Sequence, residues 1–248
     1  MTINSSGTTL NSNQYTNGEY LEKTKDWHQG DSYWKAHNIL DMIQKHELQP
    51  KSLYDVGCGA GAVLTEIEKH LLSCSDLQGF DISPQAIAIA NSRENSGVKF
   101  NNENFLESQT ESPDLLLILD VFEHVSDYRG FLDTLRKKTN QIIFHIPLDI
   151  AASGVLNKSD YMLSMFEDYG HLHFFTRESA LMTLKDLGYK VIDYSFTDDR
   201  SLDIPWGITP RLFRWVRNFM FRVNPGLTAS IFRGYNLLVL AEGDLATK

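Results

Sequence analysis

The sequence has few of the features that would place the protein in several common classes. Two cysteines in 248 residues cannot form a disulfide framework, so we expect reduced thiols and a cytoplasmic protein. It has no run of about 18 apolar residues, so we expect no membrane-spanning helix. There are 23 basic residues against 32 acidic ones, and the net charge of −9 argues against a nucleic-acid-binding function.

The N-terminal segment 1–17 also has few apolar residues and is rich in Ser, Thr and Asn. It has neither a basic start nor an apolar run, so we interpret it as a disordered tail and not as a signal peptide. Residues 18–48 are rich in aromatic side chains, and their spacing predicts a helix capped by Asp31 or Ser32. We expect this segment to form a helical cover on one main domain, residues 49–248.

The most informative stretch runs from Ser52 to Gly61 and reads S-L-Y-D-V-G-C-G-A-G. A short apolar strand leads into three alternating glycines, and helical spacing begins directly afterwards. Strand, glycine turn and helix form the opening unit of nucleotide-binding α/β folds, in which the backbone approaches the ligand closely. Asp55 lies two residues before the first glycine. A carboxylate there suits a cationic ligand such as S-adenosylmethionine (SAM) better than it suits a pyrophosphate.

Two further acids follow predicted strands. Asp81 ends the second strand about 20 residues beyond the glycines, where nucleotide-binding folds place an acid that accepts hydrogen bonds from ribose hydroxyls. The apolar run 114–120 predicts a parallel strand covered on both faces, and it ends at Asp120. Because ligands bind at the carboxyl ends of strands in open α/β sheets, we expect these acids to share one site.

Three strings together resemble the class I SAM-dependent methyltransferases that act on small molecules. They are D-V-G-C-G-x-G at 55–61, D-V-x-E-H-V at 120–125 and G-H-x-H-F-F-T at 170–176. The resemblance implies a Rossmann-like α/β fold with helices on both faces of a seven-stranded, mostly parallel sheet whose last strand is antiparallel.

The resemblance also implies a set of cofactor-binding residues. This chain has Asn104 where the family usually has an acid that reaches the adenine, and an amide oxygen can still accept that hydrogen bond. The implied SAM contacts are Asp55, Gly57, Cys58, Gly59, Gly61, Asp81, Ile82, Asn104, Phe105, Asp120 and Val121.

The reaction implied by the resemblance is in-line transfer of a methyl group to a small-molecule or lipid-like acceptor. If the acceptor atom carries a proton, a histidine can remove it, and we predict His124 first and His145 second as the base. The pair His171-x-His173 is too short a pattern to specify a metal site, so we expect no metal. The expected acceptor contacts are Tyr33, Trp34, Tyr128, Asp149, His171 and His173.

A segment at about 204–233 is unusual because it lacks acids. From Ile204 to Ala241 the sequence has five arginines and no acidic residue, and a helix is predicted over 210–223. We expect a helical insertion with its apolar side (Leu212, Trp215, Val216, Phe219, Met220) packed on the core and its arginine side in solvent. Two other interpretations stay open, a lid over an anionic substrate and a peripheral helix on an acidic membrane surface.

Two other functions stay open at this point. The spacing Gly57-x-Gly59-x-x-Ala62 also fits a dinucleotide fingerprint, although no Tyr-x-x-x-Lys pair of a nicotinamide-dependent oxidoreductase stands out. A protein that binds SAM without turnover would have the same cofactor motif. No Asn-Pro-Pro-Tyr string follows the fourth strand, which argues against enzymes that methylate amino groups of DNA or of protein glutamine.

Overall fold

The computed structural model describes residues 29–93, 96–156, 161–198 and 211–245. The predicted tail 1–17 lies outside these residues, as does the first part of the predicted cover. In the first half of the chain, helices alternate with strands except between β3 and β4. These elements are α1 (Gln29–Lys45), β1 (Ser52–Val56), α2 (Ala62–His70), β2 (Asp76–Phe80), α3 (Pro84–Asn91), β3 (Lys99–Asn101), β4 (Leu115–Leu119), α4 (Tyr128–Arg136) and β5 (Gln141–Pro147).

Short helices are more frequent in the second half. Between β5 and α7 the chain makes two of them and a wide helical turn, in a region for which the sequence shows no clear pattern. The elements are α5 (Ala152–Leu156), α6 (Tyr161–Ser164), the turn Met165–Tyr169, α7 (Arg177–Asp186), β6 (Lys190–Thr197), α8 (Arg211–Val223), α9 (Pro225–Ile231) and β7 (Asn236–Glu242).

All seven strands form one sheet in the order β3-β2-β1-β4-β5-β7-β6. Strands β1 to β5 pair in parallel, whereas β7 is antiparallel to both β5 and β6. The predicted fold class is therefore confirmed. The strand order reverses between β1 and β4, and such a reversal opens the crevice in which α/β proteins bind ligands.

Both faces of the sheet are covered, as the apolar run of β4 predicts. Leu116 and Ile118 belong to a core that the sheet shares with α4, α7 and α9. Leu115 and Leu117 belong to the opposite core, which α1 and α2 complete. This two-sided burial fixes the strand ends, and thus the site, on a rigid base.

The helix caps predicted from the sequence are correct for two helices and wrong for one. The Ser83 hydroxyl accepts a hydrogen bond from the Ala86 amide and starts α3, and Thr176 forms a capping box with Ser179 at the start of α7. The predicted caps Asp31 and Ser32 lie inside α1 instead. That prediction was wrong because the helix already includes Gln29, so that Asp31 lies in its first turn.

Part of helix α8 has the opposite orientation from the prediction. Trp215 and Phe219 are 65% and 56% exposed, and their rings stack on each other at 5.8 Å. Arg217 points inward instead, where it donates a hydrogen bond of 2.8 Å to the Arg233 carbonyl and lies 5.7 Å from the Tyr235 ring centre. Guanidinium–aromatic contacts therefore help to hold this helix to the protein, and its most apolar side is in solvent.

Candidate active site

The glycine turn after β1 needs glycine at all three positions. Gly57, Gly59 and Gly61 have φ angles of 81°, 53° and 74°, a region that other residues rarely adopt. A Cβ at Gly57 would lie 2.5 Å from a methyl group of Val121, which packs on the turn from the end of β4. The turn is thus a tight backbone cradle at the N-terminus of α2, a suitable place for a nucleotide-like ligand.

Asp81 joins the glycine turn to the start of α3. One carboxylate oxygen accepts a hydrogen bond of 2.9 Å from the Gly59 amide, and the other accepts one of 2.8 Å from the Ser83 amide. Ile82 follows with its side chain 42% exposed, an apolar surface beside the carboxylate. Both residues lie at the end of β2 beside the glycine turn, and their contact with a nucleoside stays a prediction.

Asp55 at the end of β1 is buried without a counter-charge in contact. Its residue is 2% exposed, and one carboxylate oxygen has no hydrogen-bond partner in the described part of the chain. Burial and the neighbouring charge of Asp81 raise the pKa of Asp55 to about 8, although Lys35 works in the opposite direction. A bound cation would supply the positive partner charge that is missing next to this carboxylate.

Lys35, which no sequence motif indicated, links α1 to the end of β4. Its ammonium lies 2.9 Å from the Asp31 carboxylate and 2.8 Å from that of Asp120. Burial would lower the pKa of Lys35, but the two carboxylates outweigh burial and raise it. Asp120 has a φ of 53°, unusual outside glycine, so the ion pair holds a strained strand end in place.

His145, one of the two predicted bases, lies 2% exposed inside β5. Its Nδ1 is 2.7 Å from the Asp120 carboxylate, its Nε2 is 3.1 Å from the Thr197 hydroxyl, and the Trp34 ring packs edge-on against it at 5.9 Å. Both ring nitrogens are engaged by protein groups. This geometry favours positioning of Asp120 over proton exchange with an acceptor.

A second polar cluster lies beside the ends of β4 and β5. Burial and the charge of Asp120 raise the pKa of Glu123, which is fully buried, and its own amide only partly offsets this. Burial and the neighbouring His171 lower the pKa of His124 to about 4. His171 Nδ1 lies 2.8 Å from the Asp149 carboxylate, which also accepts a hydrogen bond of 3.0 Å from the Tyr161 hydroxyl.

The structure brings together His124, Asp149 and His171 as predicted, and it adds Glu123 and Tyr161, which sequence reasoning did not assign. Glu123 had a visible signal, because it is the acid of the D-V-x-E-H-V string. Tyr161 had none, since a single tyrosine 12 residues after Asp149 belongs to no motif.

Four of the residues predicted to contact the cofactor or the acceptor are placed less favourably for that contact. Tyr33 is 63% exposed and packs on His37 outside the cluster, at 4.0 Å between ring centres. Asn104 is exposed and its side-chain oxygen accepts a hydrogen bond from the Leu106 amide, as in a turn cap. The Phe105 ring is buried in the core, and the buried thiol of Cys58 has its pKa raised by desolvation. Phe105 and Cys58 thus present mainly backbone to a ligand.

Tyr128 and His173 form a wall next to the second cluster. Their rings lie 4.5 Å apart, and His173 Nε2 is 3.0 Å from the Val125 carbonyl oxygen. Because β2, β1, β4 and β5 are adjacent and parallel, their polar ends lie along one edge of the sheet, with acids towards the glycine turn and histidines towards β5. This edge faces the crevice that the reversal of strand order opens.

The model of a methyltransferase domain family matches residues 27–194, which is more than half of the chain. The chain belongs to this family. The class predicted from the sequence strings, a SAM-dependent methyltransferase, is thereby confirmed, and the dinucleotide interpretation of the glycines is not needed. None of the curated proteins compared with this methyltransferase matches it.

Solved structures of several methyltransferases share the fold of this methyltransferase. The plantazolicin methyltransferase BpumL, in complex with a monoazolic desmethylPZN analog and S-adenosylhomocysteine (SAH), is 18% identical with a TM-score of 0.61, covering 94% of this chain and 93% of its own. The magnesium protoporphyrin IX methyltransferase ChlM from Synechocystis PCC 6803 is 14% identical with a TM-score of 0.57, covering 88% and 86%. At these identities the likeness shows the fold.

Proposed function

We propose that this methyltransferase transfers the methyl group of SAM to a small-molecule or lipid-like acceptor bound beside Glu123, His124 and His171. The observation that carries the proposal is the buried Asp55 carboxylate, with an unpartnered oxygen, next to the glycine turn. SAM is a cation with an ammonium and a sulfonium group, whereas a dinucleotide would bring a pyrophosphate to the same place. The structures of BpumL and ChlM, which hold SAH, support this assignment.

In this proposal the two ends of the crevice have separate roles. Asp55 and the glycine backbone hold the amino-acid end of SAM, and Asp81 with Ile82 holds the nucleoside. Lys35 and His145 fix Asp120 between the two ligands. The rate then comes from holding the acceptor atom in line with the sulfur–methyl bond in a site from which water is excluded.

Calorimetric titration tests the cofactor assignment. We expect the wild-type protein to bind SAM and SAH and not NADH. We expect Asp55→Asn to weaken both adenosyl compounds, because each carries the amino-acid ammonium that Asp55 holds in this proposal. Leu72→Ser, at an exposed leucine after α2, serves as the control. Binding of NADH without either adenosyl compound would sink the proposal.

We also propose that α8 contacts an acidic membrane surface. Its exposed side carries Trp215, Phe219 and Val223, the last 69% exposed, and the surrounding segment Ile204–Ala241 has five arginines and no acid in a chain of net charge −9. Aromatic side chains with nearby arginines suit the interface of an anionic bilayer. Among the helices that the structure describes, none has the length and apolar character needed to cross a bilayer.

Co-sedimentation with vesicles tests this contact. We expect binding to vesicles of phosphatidylcholine with phosphatidylserine, weaker binding to phosphatidylcholine alone, and loss of binding in the double variant Trp215→Ser, Phe219→Ser. Leu72→Ser should bind like the wild type, since it removes an exposed apolar side chain that is not on α8. Equal binding by the double variant and the wild type would refute the proposal.

A further inference from the structure

Three side chains of the second cluster are arranged as metal ligands. Glu123, His124 and His171 each offer one ligand atom, and these atoms all lie within 4.8 Å of one another. His124 Nε2 is 3.9 Å from a Glu123 carboxylate oxygen, and the rings of the two histidines stand at 84° with centres 4.9 Å apart. Ligands at about 2.1 Å from a metal lie some 3.4 Å apart, so a closure of about 1.5 Å or less completes a site.

The second nitrogen of each histidine is held as in metal-binding histidines. His171 Nδ1 lies 2.8 Å from the Asp149 carboxylate, and His124 Nδ1 lies 3.1 Å from the Gly170 carbonyl oxygen. A histidine that binds a metal through one nitrogen usually donates its other N–H to a carboxylate or a backbone carbonyl, which fixes the ring and its tautomer. Asp149 is itself held by the Tyr161 hydroxyl at 3.0 Å.

Glu123 supplies a second, independent observation. It is 0% exposed, and neither of its carboxylate oxygens meets a hydrogen-bond donor of good geometry among the described residues. A buried carboxylate without donors is costly and uncommon unless it is paired or binds a metal. Asp120 and Asp149 add negative charge near it, which Lys35 only partly offsets, and a divalent cation would balance the remainder.

We propose that Glu123, His124 and His171 bind one divalent transition-metal ion, and that this ion binds the attacking oxygen of a hydroxyl-bearing acceptor. Two imidazoles and one carboxylate favour a transition metal over Mg²⁺ or Ca²⁺, which prefer oxygen ligands. Three protein ligands leave positions open, as in catalytic metal sites. This departs from the expectation of no metal, because Glu123 was not part of the pattern considered in the sequence.

The catalytic half of this inference rests on the proposed methyl transfer, whereas the metal site does not. Binding to the ion acidifies the acceptor hydroxyl, and its proton leaves to solvent. A lone pair of the resulting oxygen forms the bond to the methyl carbon while the carbon–sulfur bond breaks. The electron pair of that bond stays on sulfur, so the sulfonium becomes a neutral thioether, and the acceptor becomes a methyl ether.

Cobalt titration of metal-free, untagged protein tests the site. A second group of possible ligands at the surface, His37, Glu66 and His70, is first removed by making every measurement in the variant His70→Ala. We expect this parent protein to bind one equivalent of Co²⁺ with visible absorption bands. Glu123→Gln and His171→Asn should each weaken Co²⁺ at least tenfold, as loss of one ligand requires. His173→Asn, which changes the neighbouring histidine, should bind Co²⁺ like the parent.

Absence of stoichiometric Co²⁺ binding in the parent, or equal binding by Glu123→Gln, would overturn the metal site. Titration with SAH checks that each variant keeps its cofactor site, and a rise in melting temperature with Zn²⁺ in the parent but not in Glu123→Gln gives a second reading. If Co²⁺ binds but no variant or parent binds SAM, the metal site stands and the proposed methyl transfer fails.

Discussion

The two ends of the crevice are built in different ways. At the cofactor end, the glycine turn and two acids come from strands β1 and β2 and the turns that directly follow them, and the main contacts are made to the backbone. At the acceptor end, the contacts join side chains that are far apart in the chain, such as Lys35 with Asp120 and His145 with Thr197. The first end is therefore specified by short sequence strings, and the second only by the complete fold.

The largest effect should come from Asp81→Ala. The variant loses two hydrogen bonds between a carboxylate and the backbone, to the amides of Gly59 and Ser83, and also the proposed ribose contact. We expect the dissociation constants of SAM and SAH, measured by calorimetry, to rise about 100-fold or more. Circular dichroism should show an intact fold. Unchanged affinity would mean that the cofactor end is not organised by this acid.

The variant His124→Ala should separate the two ends. We expect turnover to fall about 100-fold, which is the usual effect of removing a side chain that transfers a proton or binds a catalytic metal. The SAM dissociation constant should stay within about twofold of the wild-type value. Single-turnover assays with an acceptor identified by screening, together with calorimetry, measure the two quantities. A matching loss of SAM affinity would show that the ends are coupled and not separate.

The pair Gly61→Ala and Gly188→Ala should show how tightly the cradle is packed. Both glycines have left-handed φ angles, 74° and 86°, so both variants carry the same backbone strain. A Cβ at Gly61 would lie 2.4 Å from the Phe100 ring, whereas one at Gly188 meets nothing closer than 3.5 Å. We expect losses in unfolding free energy of about 3 and about 1 kcal/mol, measured by urea denaturation. Equal losses would mean that the Phe100 ring moves aside freely.

The pH dependence of SAM affinity should report on Asp55. Its pKa of about 8 in the cofactor-free protein means that it is largely protonated at neutral pH, and the charged form is the one that attracts a cation. The groups around it that carry charge are Asp81, Lys35 and Asp120. We expect affinity to fall by up to about tenfold per pH unit as pH is lowered from about 8 to 6. In Asp55→Asn the same titration should be flat.

The smallest effect should come from the exposed side of α8. Replacing Trp215 and Phe219 by serine should change the unfolding free energy by less than about 0.5 kcal/mol, because both side chains are in solvent. Phe221→Ala is the contrasting variant, since that ring stacks on Tyr235 at 4.9 Å, and we expect a loss of about 2 kcal/mol. A large loss in the double variant would place the aromatic side against the protein after all.

The sequence predicted what local periodicity and turn chemistry determine. The apolar run of β4 indicated a strand covered on both faces, and Ser83 and Thr176 marked helix starts, because these signals depend on neighbouring residues. The orientation of α8 was wrong for a physical reason. Amphipathic spacing shows that a helix has two sides, and here the guanidinium of Arg217 packs on aromatic rings that only the fold brings near.

The residues that the sequence did not indicate at the acceptor end were missed for the same physical reason. The roles of Lys35 and Glu123 depend on their burial next to charged groups. Burial of a single polar residue on a helix or turn produces no periodic signal in the sequence. Asn224 shows that turn residues in the sequence are also only partly informative. An Asn-Pro-Gly string is typical of a helix end, and in the structure the Asn224 side chain also caps a further helix, α9, by accepting a hydrogen bond from the Leu227 amide.

The position of β7 between β5 and β6 has a consequence for synthesis on the ribosome. β6 leaves the exit tunnel before β7, but it has no partner in the sheet until β7 inserts beside β5. Until then the outer edge of β5 is an open template for other chains. The growing polypeptide can form the parallel strands of the cofactor half early, whereas the histidine of β5 and its partner in β6 can meet only after the seventh strand is complete.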